Sequence, residues 1–190
     1  MRRYDYDSID STNSQALRLV EQHLGEPVLV TARSQTAGRG RTGRAWLSPP
    51  GGAWFSLAWP SSGRLPDHYM PAPLLAGLAT HDVLTSLAPG HELLIKWPND
   101  VLLDGSKIAG ILCEQHVIPG GGAAAVIIGI GVNVNVPEES LRSAGPLRFP
   151  ATSLLASTGK ETDIAPIITA IISRLTELLR SLDAEGFSTA

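Results

Sequence analysis

The stretch GRGRTGRAWLSPPGGAW, residues 38–54, decides which kind of fold this chain can have. Gly38, Gly40 and Gly43 spell G-x-G-x-x-G, the fingerprint of a dinucleotide-binding fold. Gly38 and Gly43 also carry the P-loop spacing, but Arg44 and Ala45 stand where lysine and serine or threonine belong. Both motifs require the glycines to close a strand and open a helix whose N-terminus meets phosphate. The strand is there, as PVLVTARS at 27–34. The helix is not, because Pro49, Pro50, Gly51 and Gly52 cannot sustain one. The loop keeps an unusual chemistry all the same. Arg39, Arg41 and Arg44 offer planar donor forks, the glycines permit close backbone approach, and Trp46 supplies an aromatic face. Taken alone, these residues suit either a solvated surface loop or a loop that folds over an anion.

Outside this loop the chain is ordinary. Its 190 residues suit one domain, and 43% apolar content can fill a core. A net charge of −3 argues against non-specific nucleic-acid binding. Yet Arg33, Arg39, Arg41 and Arg44 fall in one stretch without an acidic residue, which suits a small anionic ligand. No apolar run is long enough to span a bilayer, and MRRYDYDSID lacks the apolar segment of a signal peptide. The single cysteine, Cys113, rules out an intrachain disulfide and fits a cytoplasmic address.

The pattern predicts a strand at RYDYDSI, then a helix over 11–24 with a capping box from Thr12 to Gln15 and Ala16, Leu17, Val20 and Leu24 on its buried face. Further strands are expected at 27–34, 53–60, 92–97, 101–103, 107–118 and 123–131, with turns at Asp104-Gly105 and 119–122. Residues 71–88 and the stretch after Asp163 read as helices, and 137–151 as loop. The successive hairpins imply an α/β fold of the α+β type: a mixed, largely antiparallel sheet with helices on one face.

Four stretches occur in order: SIDSTN (8–13), QTAGRGRTGRAWLSPPGG (35–52), KWPNDVLLDGSKIAGILCE (96–114) and IGIGVNVN (128–135). Together they resemble the catalytic domain of the biotin–protein ligases, over roughly residues 4–183. The resemblance implies one catalytic domain over 1–190, without the N-terminal helix-turn-helix or the C-terminal small β-barrel that many relatives carry. It implies formation of biotinyl-5′-AMP from biotin and ATP, with Mg²⁺, then transfer of biotin to a lysine of a biotin carboxyl carrier protein. No nucleic-acid or membrane partner is expected, and the sequence leaves open whether the chain forms a homodimer.

By the same resemblance, Ser11, Thr12, Asn13 and Gln35 line a biotin pocket, with Gly38 and Gly110 close to the ligand. Short hydroxyl and amide groups suit biotin's ureido ring, which carries both donors and an acceptor. Arg39, Gly40 and Arg41 hold the carboxylate and phosphates, and Trp46 covers the adenine side. Lys107 is the central catalytic residue, with Asp100 orienting the incoming lysine or supporting a metal. Lys96 and Asn133 are assigned to the nucleotide, and Gly129, Gly131 and Asn133 to a turn near adenine. Asn99 suits a site role and a turn role about equally. Thr42 departs from many family members, which carry a second basic residue there. Two other readings remain: a lipoyl- or octanoyl-type acyltransferase using Cys113, and a binding module for biotin or its adenylate.

Overall fold

The computed structural model describes residues 1–23, 25–61, 66–117, 124–142 and 150–186. Strand β1 (Arg2–Ile9) leads through helix α1 (Thr12–Val20) to β2 (Val28–Gln35) and, past the glycine–arginine loop, to β3 (Ala53–Pro60). Helix α2 (Ala72–Leu87) precedes a meander of β4 (Leu93–Lys96), β5 (Asp100–Leu103), β6 (Ser106–Val117) and β7 (Ala124–Val132). Three helices follow: α3 (Glu138–Arg142), α4 (Leu154–Thr158) and the long α5 (Ile164–Glu185).

The strands form one seven-stranded sheet in the order β1-β2-β3-β7-β6-β5-β4. Only β1 and β2 run parallel, and α1 supplies the crossover that a parallel neighbour needs. Every other pairing among these seven strands is antiparallel, which is the mixed, largely antiparallel sheet the sequence implied. The β5–β6 turn is tight, with Asp104 and Gly105 both at positive φ (48° and 76°).

The helices lie on both faces rather than one, a correction that the alternation along β3 explains. Phe55, Leu57 and Trp59 point toward α2 and α5, where they join Ile128, Ile130 and the stripe Ile167, Ile171, Leu175, Leu179 and Leu182. Ala58 points the other way and packs with Val28, Val30 and Ile127 against Ala16, Leu19 and Val20 of α1. An eight-residue strand buried on both sides reads as one apolar run, which hides the second layer.

Smaller differences have local causes. The N-cap of α1 is Ser11, whose hydroxyl accepts the Ser14 amide at 3.4 Å, and Thr12 is the first helical residue, so the expected capping box is not formed. The helix ends at Val20; Leu24 and the turn expected at 119–122 lie outside the described residues. Two short helices went unread. Helix α3 falls inside the expected loop, and α4 is capped by Ser153 and closed by Gly159 at φ 71°. Asp163 caps α5 as expected, accepting the Ala165 amide at 3.2 Å.

Candidate active site

A cleft of about 480 Å³, its open mouth included, lies on the α1 face of the sheet. Three glycines create it. Gly129 and Gly131 of β7 and Gly110 of β6 project no side chain into a face that is filled elsewhere. A Cβ on Gly129 would overlap the Asn13 amide. One on Gly131 would stand 2.5 Å from Trp46 Nε1, and one on Gly110 2.9 Å from the Trp46 ring. Trp46 therefore rests on a glycine floor, edge-on to Trp54 at 6.4 Å between centroids. Its Nε1 is buried without a hydrogen-bond partner. Gly129 and Gly131 are thus residues of β7, as the apolar pattern over 123–131 implied, and do not form the turn that the resemblance implied.

The inner end of the cleft is polar. Thr12 donates its backbone N–H (2.8 Å) and its hydroxyl (3.1 Å) to Gln35 Oε1, and Gln35 Nε2 donates to Ser48 Oγ at 2.7 Å. Ser56 Oγ lies 2.8 Å from Thr12 Oγ1 and 2.6 Å from Asn13 Oδ1. Asn13 Nδ2 donates to Glu114 Oε2 at 2.8 Å. Ser11, Thr12, Asn13 and Ser56 are all buried, so each polar atom needs such a partner.

Over the mouth folds the glycine–arginine loop. It closes on itself, with Gly40 N donating to Arg44 O (2.7 Å) and Trp46 N to Gly38 O (2.8 Å). A Cβ on Gly38 would overlap the Trp46 carbonyl, which requires glycine at the neck of the loop. Two of the loop arginines have protein partners. Arg39 reaches Glu114 Oε2 at 2.8 Å, and Arg41 donates to Asn99 Oδ1 at 3.0 Å. Asn99 in turn donates to the Ile111 carbonyl at 3.0 Å, so it serves both the turn and the site wall.

The opposite wall carries a cationic cluster. Lys107 Nζ lies 2.6 Å from Asp100 Oδ1 and 5.0 Å from the Trp46 ring centroid. Lys96 Nζ lies 3.3 Å from Asp100 Oδ2. One carboxylate between two ammonium groups leaves a net positive charge at this wall, which favours an anion. Lys107 lines the cleft; Asp100 and Lys96 do not, and Asp100 reaches the cleft only through its ion pair with Lys107. Asn133 is also set apart. It is 4% exposed, and its Nδ2 donates to the Thr152 carbonyl at 2.9 Å, tying β7 to the segment before α4.

This arrangement, a neutral polar end, a glycine floor and an anion-seeking mouth, is accompanied by a sequence match. Residues 6–133 match the biotin/lipoate A/B protein ligase family. The chain belongs to that family. It is 38% identical, over 94% of its own length and 73% of the relative's, to the biotin–[acetyl-CoA-carboxylase] ligase of Paracoccus denitrificans. It is equally identical to the bifunctional ligase/repressor BirA of Bacillus spizizenii, but spans only 55% of that protein. Among solved structures, the biotin protein ligase of Aquifex aeolicus in complex with biotin and ATP superposes with a TM-score of 0.75. The identity is 30%, covering 97% of this chain and 72% of that one. The Leishmania major enzyme in complex with biotinyl-5-AMP gives the same TM-score at 28% identity.

Two further residues that the sequence reading missed, Ser56 and Glu114, do not line the cleft themselves but hold side chains that do, Ser56 through Thr12 and Asn13 and Glu114 through Asn13 and Arg39. Ser56 is a lone hydroxyl in the apolar strand AWFSLAWP, and that misfit was its signal. Glu114 shares a strand face with Gly110 and Leu112, four and two residues back, so alternation from the glycine floor points to it. Cys113, between them, projects to the other face and packs against the α2–α5 core. Burial, with the Glu114 charge beside it, pushes its thiol up to about 12.

Proposed function

We propose that this chain is the catalytic domain of a biotin–protein ligase. The observation that carries the reading is that Lys107, backed by Asp100, and the two loop arginines stand at one end of a cleft whose other end is neutral and polar. Biotin has the matching polarity: a ureido ring at one end and a carboxylate at the other. The ring lies among Thr12, Asn13, Gln35 and Ser56, and the valeryl chain runs over the glycine floor. The carboxylate lies toward Lys107.

In the first half-reaction a biotin carboxylate oxygen attacks the α-phosphorus of ATP, and pyrophosphate leaves with the electron pair of the broken bond. Two anions must meet, so the barrier falls with positive charge held at that point. Lys107 supplies it at the acyl–phosphate junction, and Arg39 and Arg41 supply it from the loop. In the second half-reaction a carrier lysine amine attacks the acyl carbon and AMP leaves. Asp100, which holds Lys107 Nζ at 2.6 Å, is the residue we assign to orienting the incoming amine. Among the described residues no cluster of three or more metal-ligating side chains exists. The Asp100 carboxylate is already shared by two lysines, so Mg²⁺ would arrive on the ATP phosphates and would supply charge neutralisation there. The acceptor is a carrier protein of a biotin-dependent carboxylase, and a cytoplasmic location goes with that partner.

Acyl transfer through a cysteine is disfavoured, since Cys113 faces away from the cleft and holds its proton. The experiment is pyrophosphate release with biotin, with lipoate and with octanoate. Biotin alone should support turnover; release with lipoate but not biotin would reverse the assignment.

A further inference from the structure

Lys96, Asp100, Gly110, Gly131 and Trp54 lie in one row across the sheet, each the Cα partner of the next from the edge strand β4 to β3. Residues directly opposite one another in neighbouring strands project to the same face, and Gly110 and Gly131 place this row on the face of the cleft. The register therefore sets Lys96 beside Asp100 on the side remote from the glycine floor, while Lys107 reaches the same carboxylate from β6. Asp100 Oδ2 lies 3.3 Å from Lys96 Nζ and Oδ1 lies 2.6 Å from Lys107 Nζ, so each ammonium takes its own oxygen. Side-chain exposures of 33%, 13% and 25% for Lys96, Asp100 and Lys107 put all three where water screens them only in part.

A carboxylate in this place has opposite effects on the two half-reactions. It suits the approach of an amine, but its charge opposes the meeting of two anions that comes first, and it holds the ammonium that this step uses. The lysine at the far end of the row offsets that charge. Lys96, Asp100 and Lys107 together carry +1; without Lys96 the sum is zero, and the whole carboxylate falls on Lys107. We infer that Lys96 is the counter-charge of Asp100: a positioning residue that does not touch the ligand and that keeps the charge of Lys107 available to the anions in the cleft. The inference rests on the biotin reading for the identity of those anions. It gives Lys96 a different task from the nucleotide contact that the resemblance implied.

The test is single-turnover pyrophosphate release, at saturating biotin and Mg-ATP, for the wild-type chain, Lys96→Met, Asp100→Asn and the double variant. Methionine retains the apolar stem and removes the ammonium, so the rate should fall about tenfold through the unbalanced carboxylate alone. Adding Asp100→Asn removes that carboxylate and keeps its shape, so the double variant should return to within about threefold of wild type. A merely structural role for Lys96 would not be repaired by a second substitution. A rate in Lys96→Met equal to wild type, or a further loss in the double variant, overturns the inference. So does an ATP affinity that falls in Lys96→Met and is not restored in the double variant, which would mean that Lys96 holds the nucleotide itself. A second measurement needs no ligand. Reductive methylation, read by mass spectrometry against the exposed Lys160, should modify Lys107 several-fold more slowly in Lys96→Met than in wild type, because an undivided carboxylate holds the ammonium more firmly. Adding Asp100→Asn should reverse the slowing, and equal methylation in all variants also overturns the inference. If the wild type releases no pyrophosphate with biotin, the biotin reading fails, while methylation still decides the role of Lys96.

Discussion

Lys107 Nζ lies 2.6 Å from Asp100 Oδ1 and 5.0 Å from the centre of the Trp46 ring, so one ammonium group touches the carboxylate of β5 and the aromatic face of the loop. The β5–β6 hairpin makes this possible. Asp100 is paired with Gly110, and a register irregularity at Val101/Leu102 brings Lys107 opposite Leu102. The lysine is thus held by a carboxylate on its own sheet and is aimed into the cleft by the strand that also provides Gly110.

Replacing that ammonium should separate binding from chemistry. Lys107→Ala should cost roughly 1.5–3 kcal/mol of biotin affinity, the value of one charge-assisted contact. Pyrophosphate release should fall on the order of a hundredfold or more, since the contact strengthens as charge builds on the α-phosphate. Lys107→Arg should recover only part of the rate, because a planar fork does not reproduce a compact ammonium. Lys96→Ala, behind Asp100, should affect rate less than Lys107→Ala. Single-turnover pyrophosphate assays on the three variants check the order.

Gly129→Ala should damage ring recognition. The new methyl group would overlap the Asn13 amide, which is buried and bonded to Ser56 and Glu114. Displacing Asn13 leaves Ser56 Oγ short of a partner, at a cost of about 1–3 kcal/mol. Calorimetry should show biotin affinity reduced at least tenfold, while far-ultraviolet circular dichroism still shows a folded chain. Unchanged affinity would mean that Asn13 is not at the ring.

Asp183 should matter for stability and not for ligation. From α5 it accepts hydrogen bonds from Trp59 Nε1 (3.0 Å) and Tyr69 Oη (2.8 Å), and His68 Nε2 lies 3.3 Å away. It joins the end of the long helix to β3, on the face opposite the cleft. Asp183→Ala should lower unfolding stability by about 1–3 kcal/mol in denaturant titrations, through loss of the acceptor of the Trp59 indole N–H. Biotin affinity should stay within twofold of wild type.

Cys113 should be inert. Its folded thiol is raised to about 12, so it stays protonated at neutral pH and lacks the thiolate that alkylation requires. A raised value also sets the sign of its linkage to folding. Its contribution is fully present below the ordinary thiol value of 9.0 and is lost as pH rises toward 12. Iodoacetamide labelling at pH 8 should be slow in the native chain and fast in urea, and Cys113→Ala should ligate normally.

What the sequence could and could not announce follows from how local each signal is. The strands and the tight turn at Asp104-Gly105 were legible because alternation and turn chemistry are short-range. The failure of G-x-G-x-x-G to open a helix was legible for the same reason, in Pro49 and Pro50. Placing α1 on the opposite face from α2 and α5 required knowing that β3 is buried on both sides, which an apolar run cannot tell. The partners of Arg39 and Asn13 were hidden because Glu114 is about 75 and 100 residues away in the chain. The partner of the Asn133 amide, the Thr152 carbonyl, lies 19 residues on, beyond the reach of any local pattern.

The most direct test of the account is the mass of a purified biotin carboxyl carrier domain after incubation with this chain, biotin and Mg-ATP. A gain equal to one biotinyl group, lost in Lys107→Ala and absent with lipoate, is the predicted result. A carrier of unchanged mass, from a chain that binds biotin and ATP but releases no pyrophosphate, would contradict it.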